Sequence, residues 1–285
     1  MKKISIVTDT DSSLPPALAA EYDIQQVPIL IHFGEEVFET GVDINDRDLF
    51  ERVDREGKLP TTAAPSPGKF AKFFQNAFEE DEADAVICFC ISGAMSATIK
   101  SAQTATRDLL PEKNITVVDT ETLSMGQGFM VLAAAEAAKN GASIDEIIQA
   151  AEETRARSHL YGALATLKYL SMSGRVSHLA ASMAGMMDIK PILSVQSGKL
   201  DMLEKVRTRK KAWERVIELA REDAKGAGMN RMAVLHVNAP EEAEKFTELL
   251  RNEMDCPAEI LTAELTPGLS VHTGAGLVAL AFTTC

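Results

Sequence analysis

Thr62, Ser92 and Ser96, with Ser12 upstream, sit where strand-like runs give way to helical ones. Their hydroxyls can donate hydrogen bonds to a carboxylate without requiring a buried counter-ion. Each also reads as a helix cap, the commonest use of Ser and Thr at such junctions. The case for a site rests on several of these loops meeting at one sheet edge. A second candidate is His272, in Ser270-Val271-His272-Thr273-Gly274-Ala275-Gly276. Glycine lets backbone come close to a ligand. An imidazole, titrating ordinarily near about 6.5, can serve as a hydrogen-bond donor or an acid–base group.

Thr62 belongs to a conspicuous stretch, Leu59-Pro60-Thr61-Thr62-Ala63-Ala64-Pro65-Ser66-Pro67-Gly68-Lys69-Phe70. Ser66 is placed as an N-cap and Pro67 as the first helical residue. The amides of such a helix start point outward and can hold an anion. The helix that follows carries Phe70, Phe73, Phe74, Ala77 and Phe78, a stripe at helical spacing that must face a core or a cavity. Twelve methionines add flexible apolar bulk, and Met183, Met186 and Met187 fall on one short apolar run, Leu179 to Met187. Such thioethers fill cores and also suit pockets for variable alkyl chains.

Charge narrows the classes of partner. The net charge of −13 argues against general nucleic-acid or anionic-membrane binding, which needs surplus Lys and Arg. One basic run, Lys205-Val206-Arg207-Thr208-Arg209-Lys210-Lys211, stands against that background, as does Arg175. It reads either as a solvated face or as a contact for an acidic partner or a phosphate. Asp9, Asp11 and Asp119 could hold a metal at a sheet edge, but no spacing specifies one. The four cysteines form no ligand or disulfide pattern; Cys88 and Cys90 read as buried thiols on one face of a strand. No Walker A, G-x-G-x-x-G or G-x-S-x-G sequence is present. The N-terminus turns polar too early for a signal peptide, and the apolar region Phe129 to Ala138 is too short to span a bilayer, so the expected compartment is the cytoplasm.

The elements that must position these residues follow from patterning. Ile4–Val7, Ala85–Ile91 and Ile115–Val118 are short strands, each running into a polar loop and a helix. This alternation predicts a parallel sheet with helices on both faces, whose ligands lie beyond the strands' carboxyl ends. Val27–Ile31 reads as a further strand, with a hairpin turn at Gly34 and a return through Val37-Phe38. Asp46 can cap a helix to about Glu56, and Ser143 with Glu146 forms a capping box. From His159 the texture changes: Leu160–Thr166, a hairpin formed by Ile189–Val195 and Leu200–Arg207, then Met232–Val237 and Ala258–Leu265 as strands. The expected fold is α/β in two lobes, residues 1–158 with a parallel sheet and residues 159–285 with a mixed α/β arrangement, the ligand between them. On residues alone this is a small-ligand-binding α/β protein.

The chain resembles the DegV family, the bacterial fatty-acid-binding subunits of fatty acid kinase. The resemblance runs from end to end. It rests on Thr8-Asp9, Thr62 to Gly68, Ser92 to Ala102, Ser173-Gly174-Arg175-Val176-Ser177, Ile189-Lys190-Pro191-Ile192-Leu193, Lys205 to Ala212 and His272 to Gly276, in that order. It implies a long-chain fatty acid buried between the lobes, its carboxylate held by Thr62, the Ser92/Gly93 region and the His272-Thr273 motif, with Ser96 available on the same loop. It implies no cofactor and no catalytic residue. A separate kinase would phosphorylate the bound acid, with Arg175 and Arg207 facing that partner. Two positions depart from the family pattern. The usual Thr-Ser-Gln-Pro-Ser loop is Thr62-Ala63-Ala64-Pro65-Ser66, and the usual double serine is Ser92-Gly93. Two alternatives stand beside this reading: an acyl hydrolase using a serine with His272, and a lipid-sensing regulatory protein.

Overall fold

Residues 2–176 and 189–285 are described by a computed structural model; the Leu179–Met187 run and its methionines lie outside the described residues. In sequence order, β1 (Ile4–Asp9), β2 (Gln25–Val27), β6 (Ala85–Cys90) and β7 (Ile115–Asp119) form an all-parallel sheet of order β2-β1-β6-β7. β6 is buried along its whole length, as a strand covered on both faces must be. β7 is half-buried throughout because it lies at the edge of the sheet. Alternate residues of a strand point to opposite faces. Val7, Val86, Cys88 and Cys90 therefore pack with Phe70, Phe74 and Ala77 of α3 (Pro67–Glu79) and with Ile99 and Ala102 of α4 (Thr98–Thr104). Thr8, on the opposite face of β1, meets Gln127 of α5 (Ser124–Lys139). The phenylalanine stripe thus divides: Phe70 and Phe74 are fully buried, while Phe73 and Phe78 pack at the margin of the same cluster.

Local signals held where they were local. Ser66 caps α3, accepting the Lys69 N–H at 3.1 Å, with Pro67 as its first residue. Ser143 and Glu146 form a reciprocal capping box at the start of α6 (Ile144–Ala156). β3 (Leu30–Phe33) and β4 (Glu36–Glu39) form the hairpin around Gly34. One strand reading in this unit needed correction. The run from Val27 to Ile31 is not one strand: β2 ends at Val27, and β3 belongs to a separate antiparallel sheet, β4-β3-β5. Pro28, with no N–H to give a ladder, lies between them. The stretch from Leu59 to Phe70 contributes β5 (Thr61–Ala63), which pairs with β3.

The chain divides into two compact units, 1–43 with 60–156, and 44–59 with 157–285. A single linear boundary at residue 158 misses the second membership of 44–59, which contains α2 (Asp46–Glu56). Asn45, not Asp46, is the N-cap of α2, accepting the Asp48 N–H at 3.0 Å. Leu49, Phe50 and Val53 are its buried face.

In the second unit, β8 (Ser158–Ala163), β9 (Lys190–Gln196), β10 (Lys199–Val206), β11 (Met229–His236), β12 (Leu261–Glu264) and β13 (Val278–Thr284) form one mixed sheet of order β10-β9-β8-β13-β11-β12. β11 and β12 are parallel and the other neighbours antiparallel. The helices Arg209–Asp223 and Pro240–Glu253 pack Val216, Ile217, Ala220, Phe246 and Leu250 onto Ile192, Val234, Leu280 and Phe282 of the sheet. Burying these large side chains stabilises the unit by roughly 1.5–3 kcal/mol each.

Candidate functional site

In the first unit the loops after β1, β6 and β7 are latched together by carboxylates and hydroxyls. Asp9 accepts the N–H of Asp11 at 3.0 Å and of Ile91 at 2.7 Å, tying the β1 loop to the end of β6. Burial raises the Asp9 carboxyl above its ordinary range, against those hydrogen bonds. Asp119 accepts the Gly93 N–H at 3.1 and 3.2 Å and the Glu121 N–H at 3.0 Å. Ser92 donates its N–H to Thr122 O at 2.9 Å, and Ser124 Oγ donates to Ser13 Oγ at 3.2 Å. These loops sit at the carboxyl ends of parallel strands, where such sheets present ligand groups.

The predicted hydroxyls take different places in this network. Ser92 is 1% exposed, and its Oγ accepts the Ala94 N–H at 3.3 Å, which shapes the loop. Ser96 is half-buried; its Oγ lies 2.8 Å from Thr98 Oγ1 and accepts the Thr98 N–H at 3.3 Å. Thr62 is half-buried on β5, opposite Ile31. Ser12 is fully buried beside Gln26 and Leu14. Gly93 has a physical reason to be glycine: a Cβ there would lie 2.8 Å from Asp119 Oδ2 and 3.0 Å from Ile99 Cγ2. The Asp119 carboxylate fills the space a serine would need, and two backbone N–H groups hold it there.

In the second unit His272 lies on a helix, Pro267–Thr273, that the sequence reading did not assign. At seven residues it is too short for a helical periodicity to show. The helix ends at Gly274, whose N–H donates to Ser270 O at 2.7 Å. Gly274 has φ +82, and a Cβ there would fall 2.2 Å from the ring of Tyr169, on α7 (Lys168–Met172). Glycine is required on both counts. The Phe50 ring of α2 meets Tyr169 edge-to-face at 6.1 Å. Gly276, φ +84, donates its N–H to Val237 O at 2.8 Å and faces Ala165 and the Arg209 guanidinium.

His272 is half-buried, and burial pushes its imidazole down to about 4, with the Arg175 charge acting in the same direction. It is therefore neutral at neutral pH, with one N–H to donate and one nitrogen to accept. Thr273 is half-buried, and its Oγ1 donates to Ser270 O at 3.3 Å. Arg175 is exposed, its Nη1 donating to Ser173 O at 2.7 Å. Arg207 is exposed just beyond β10. Within the basic run, Arg209 pairs with Glu242 at 3.2 Å and Lys210 with Glu214 at 3.8 Å. Among the described residues no helix is long and apolar enough to cross a membrane, and no group of His, Cys, Asp or Glu is arranged to hold a metal.

Sequence reasoning overlooked Tyr169, the tie of Asp46 to Ser270 and the part Asp119 plays at Gly93. Only the paired glycines Gly274 and Gly276 hinted at a crowded backbone there.

These features define a class: an α/β protein of a parallel unit and a mixed-sheet unit, with hydroxyl-rich loops at strand ends and a glycine-flanked histidine. A family model described as "Uncharacterised protein, DegV family" matches residues 3–284. A DegV domain-containing protein of Streptomyces coelicolor is 33% identical over 278 residues, 97% of each chain, and Protein DegV of Bacillus subtilis is 34% identical over 248 residues, 87% of each. The chain belongs to the DegV family. Among solved structures, a DegV family protein from Thermus thermophilus, described as fatty acid binding, superposes with TM-score 0.90 at 30% identity, covering 99% of this chain and 100% of that one. DegV from Bacillus subtilis, described as a fatty acid binding protein, gives 0.88 at 32% identity, with 100% of both chains covered.

Proposed function

We propose that this protein binds a long-chain fatty acid and presents its carboxylate to a separate kinase for acyl-phosphate formation, performing no chemistry itself. The observation that carries the binding reading is the end-to-end similarity, at 30% and 32% identity, to two proteins described as fatty acid binding. The local chemistry agrees with it. A neutral His272 can donate an N–H to a carboxylate, and an anion beside it would draw its imidazole back toward the ordinary range. In the first unit, the half-buried hydroxyls of Thr62 and Ser96 can donate to a carboxylate. Ser92 shapes the Gly93 loop, and Thr273 flanks the histidine. Arg175 and Arg207 are exposed and available to an acidic or phosphate-bearing partner.

Native mass spectrometry of the purified protein is expected to find a co-purified long-chain acid. A protein that is repeatedly empty and takes up no added fatty acid would defeat the reading. Thr62→Ala and His272→Ala are expected to weaken binding. Arg207→Ala should spare binding while slowing phosphorylation of the bound acid by a kinase; equal turnover would remove the docking role.

A further inference from the structure

The second unit contains a buried acid that the fatty-acid reading leaves unused. Asp46, first residue of α2, is 2% exposed. Its Oδ1 accepts the hydroxyl of Ser270, 224 residues away in sequence and two residues before His272 on the same short helix. Its Oδ2 is buried and has no hydrogen-bond partner among the described residues. An ionised carboxylate with one oxygen bare in the interior is strongly disfavoured, whereas a neutral carboxyl is tolerated.

We propose that the Asp46–Ser270 hydrogen bond is the positioning contact that sets the His272 helix, that it works with Asp46 protonated, and that affinity for a carboxylate ligand falls as Asp46 ionises. The inference rests on the reading of His272 as a ligand to that carboxylate. Asp46 is a positioning residue, not a catalytic one.

Two further contacts make the same connection between α2 and the His272 segment. Phe50, one turn along α2 from Asp46, meets the ring of Tyr169. Tyr169 in turn occupies the space beside Gly274, the residue that ends the His272 helix. The first turn of α2 therefore grips the His272 helix at Ser270 directly and at Gly274 through Tyr169. If Asp46 ionises, the Ser270 hydroxyl favours the charge but Oδ2 stays bare, so the charge gains solvation only if this packed segment opens to water.

The charged and titratable groups around this contact act in known senses. Glu264, at the end of β12, opposes ionisation of Asp46, and the Ser270 hydroxyl favours it. On α2 itself, Arg47 is exposed and paired with Glu51 at 2.9 Å, and Asp48 is exposed and bonded to Asn45. On the packed segments, His272 is neutral at neutral pH, Arg175 acts on it, and Lys168 lies over the Tyr169 ring at 5.5 Å. Burial dominates and raises the Asp46 carboxyl to about 7. The start of a helix ordinarily favours an anion, but that attraction is small beside desolvation in a buried site.

The test is a titration of the full-length protein with the fluorescent C18 acid cis-parinaric acid at pH values from 6 to 8.5, with Asp46→Asn and Ser270→Ala alongside. Wild-type affinity is expected to fall roughly fivefold or more across that range, the lower end of typical site-to-site couplings. Asp46→Asn keeps the shape and neutrality of the side chain and should hold the pH 6 affinity throughout. Ser270→Ala should weaken binding at pH 6 and move the midpoint upward, since the lost hydroxyl favoured the ionised form. Identical pH profiles for wild type and Asp46→Asn would overturn the proposal. So would an Asp46 carboxyl that titrates below pH 5 by carbon-13 NMR. If the wild type binds no probe at any pH, the fatty-acid reading fails by itself. The His272 ring resonances then decide the contact: a shift that follows Asp46 ionisation supports it, and no shift refutes it.

Discussion

Replacing Gly274 by alanine should uncouple two costs that the structure places at one atom. The backbone there has φ +82 and ψ 159, a region almost restricted to glycine, and holding alanine in it costs about 1–3 kcal/mol. The new Cβ would lie 2.2, 2.5 and 3.0 Å from three atoms of the Tyr169 ring, and the two shorter distances are ones real Cβ atoms essentially never show. Tyr169 also meets the Phe50 ring edge-to-face, and moving it away from the new Cβ disturbs that packing, at a further cost of about 1–3 kcal/mol typical of overpacking. Gly274→Ala is therefore expected to lose about 2–6 kcal/mol, measured by urea unfolding. The two parts separate in a double-mutant cycle. In a Tyr169→Ala background the clash is gone and the strain remains, so the same substitution should cost only about 1–3 kcal/mol there. Ligand affinity gives a second readout, because the displaced residue follows His272 by two positions. An unchanged midpoint for Gly274→Ala, or an identical loss with and without Tyr169, would refute the reasoning.

Three further outcomes are expected. Gly93→Ser should destabilise the protein by about 1–3 kcal/mol, because its Cβ must displace the Asp119 carboxylate; a gain in both melting temperature and fatty-acid affinity would contradict this. His272 should stay neutral to near pH 4 by NMR in the ligand-free protein. Because its imidazole is depressed in the fold, its contribution to stability is present above about pH 6.5 and is lost as pH falls toward 4, a dependence that His272→Gln should abolish. Asp46 has the opposite sign: its raised carboxyl favours the fold at low pH, and that contribution is lost as pH rises from about 3.8 through about 7. At about 1.4 kcal/mol per pH unit the upper limit is about 4 kcal/mol, so Asp46→Asn should be more stable than wild type at pH 8.5 in thermal unfolding; equal stability would count against the assignment.

What the sequence determined by itself was whatever is decided within a few residues. Ser66 with Pro67, and Ser143 with Glu146, fix helix starts because a cap needs only its own first turn. The Gly34 hairpin and the fully apolar β6 are read from turn chemistry and from burial on both faces. Candidate donors could be named in the same way, since hydroxyls at strand ends and glycines around a histidine are local patterns. Tertiary structure decided the rest. Nothing near residue 46 announces that α2 belongs with residues 157–285, because its apolar face, Leu49, Phe50 and Val53, would suit either unit. The His272 helix is only seven residues long, too short for a helical periodicity to show in the sequence. Gly93 is glycine because Asp119 arrives from another strand, Gly274 because Tyr169 arrives from another helix, and Asp46 is buried against Ser270. A side chain's neighbour across hundreds of residues is set by which faces bury together, and no local propensity carries that information.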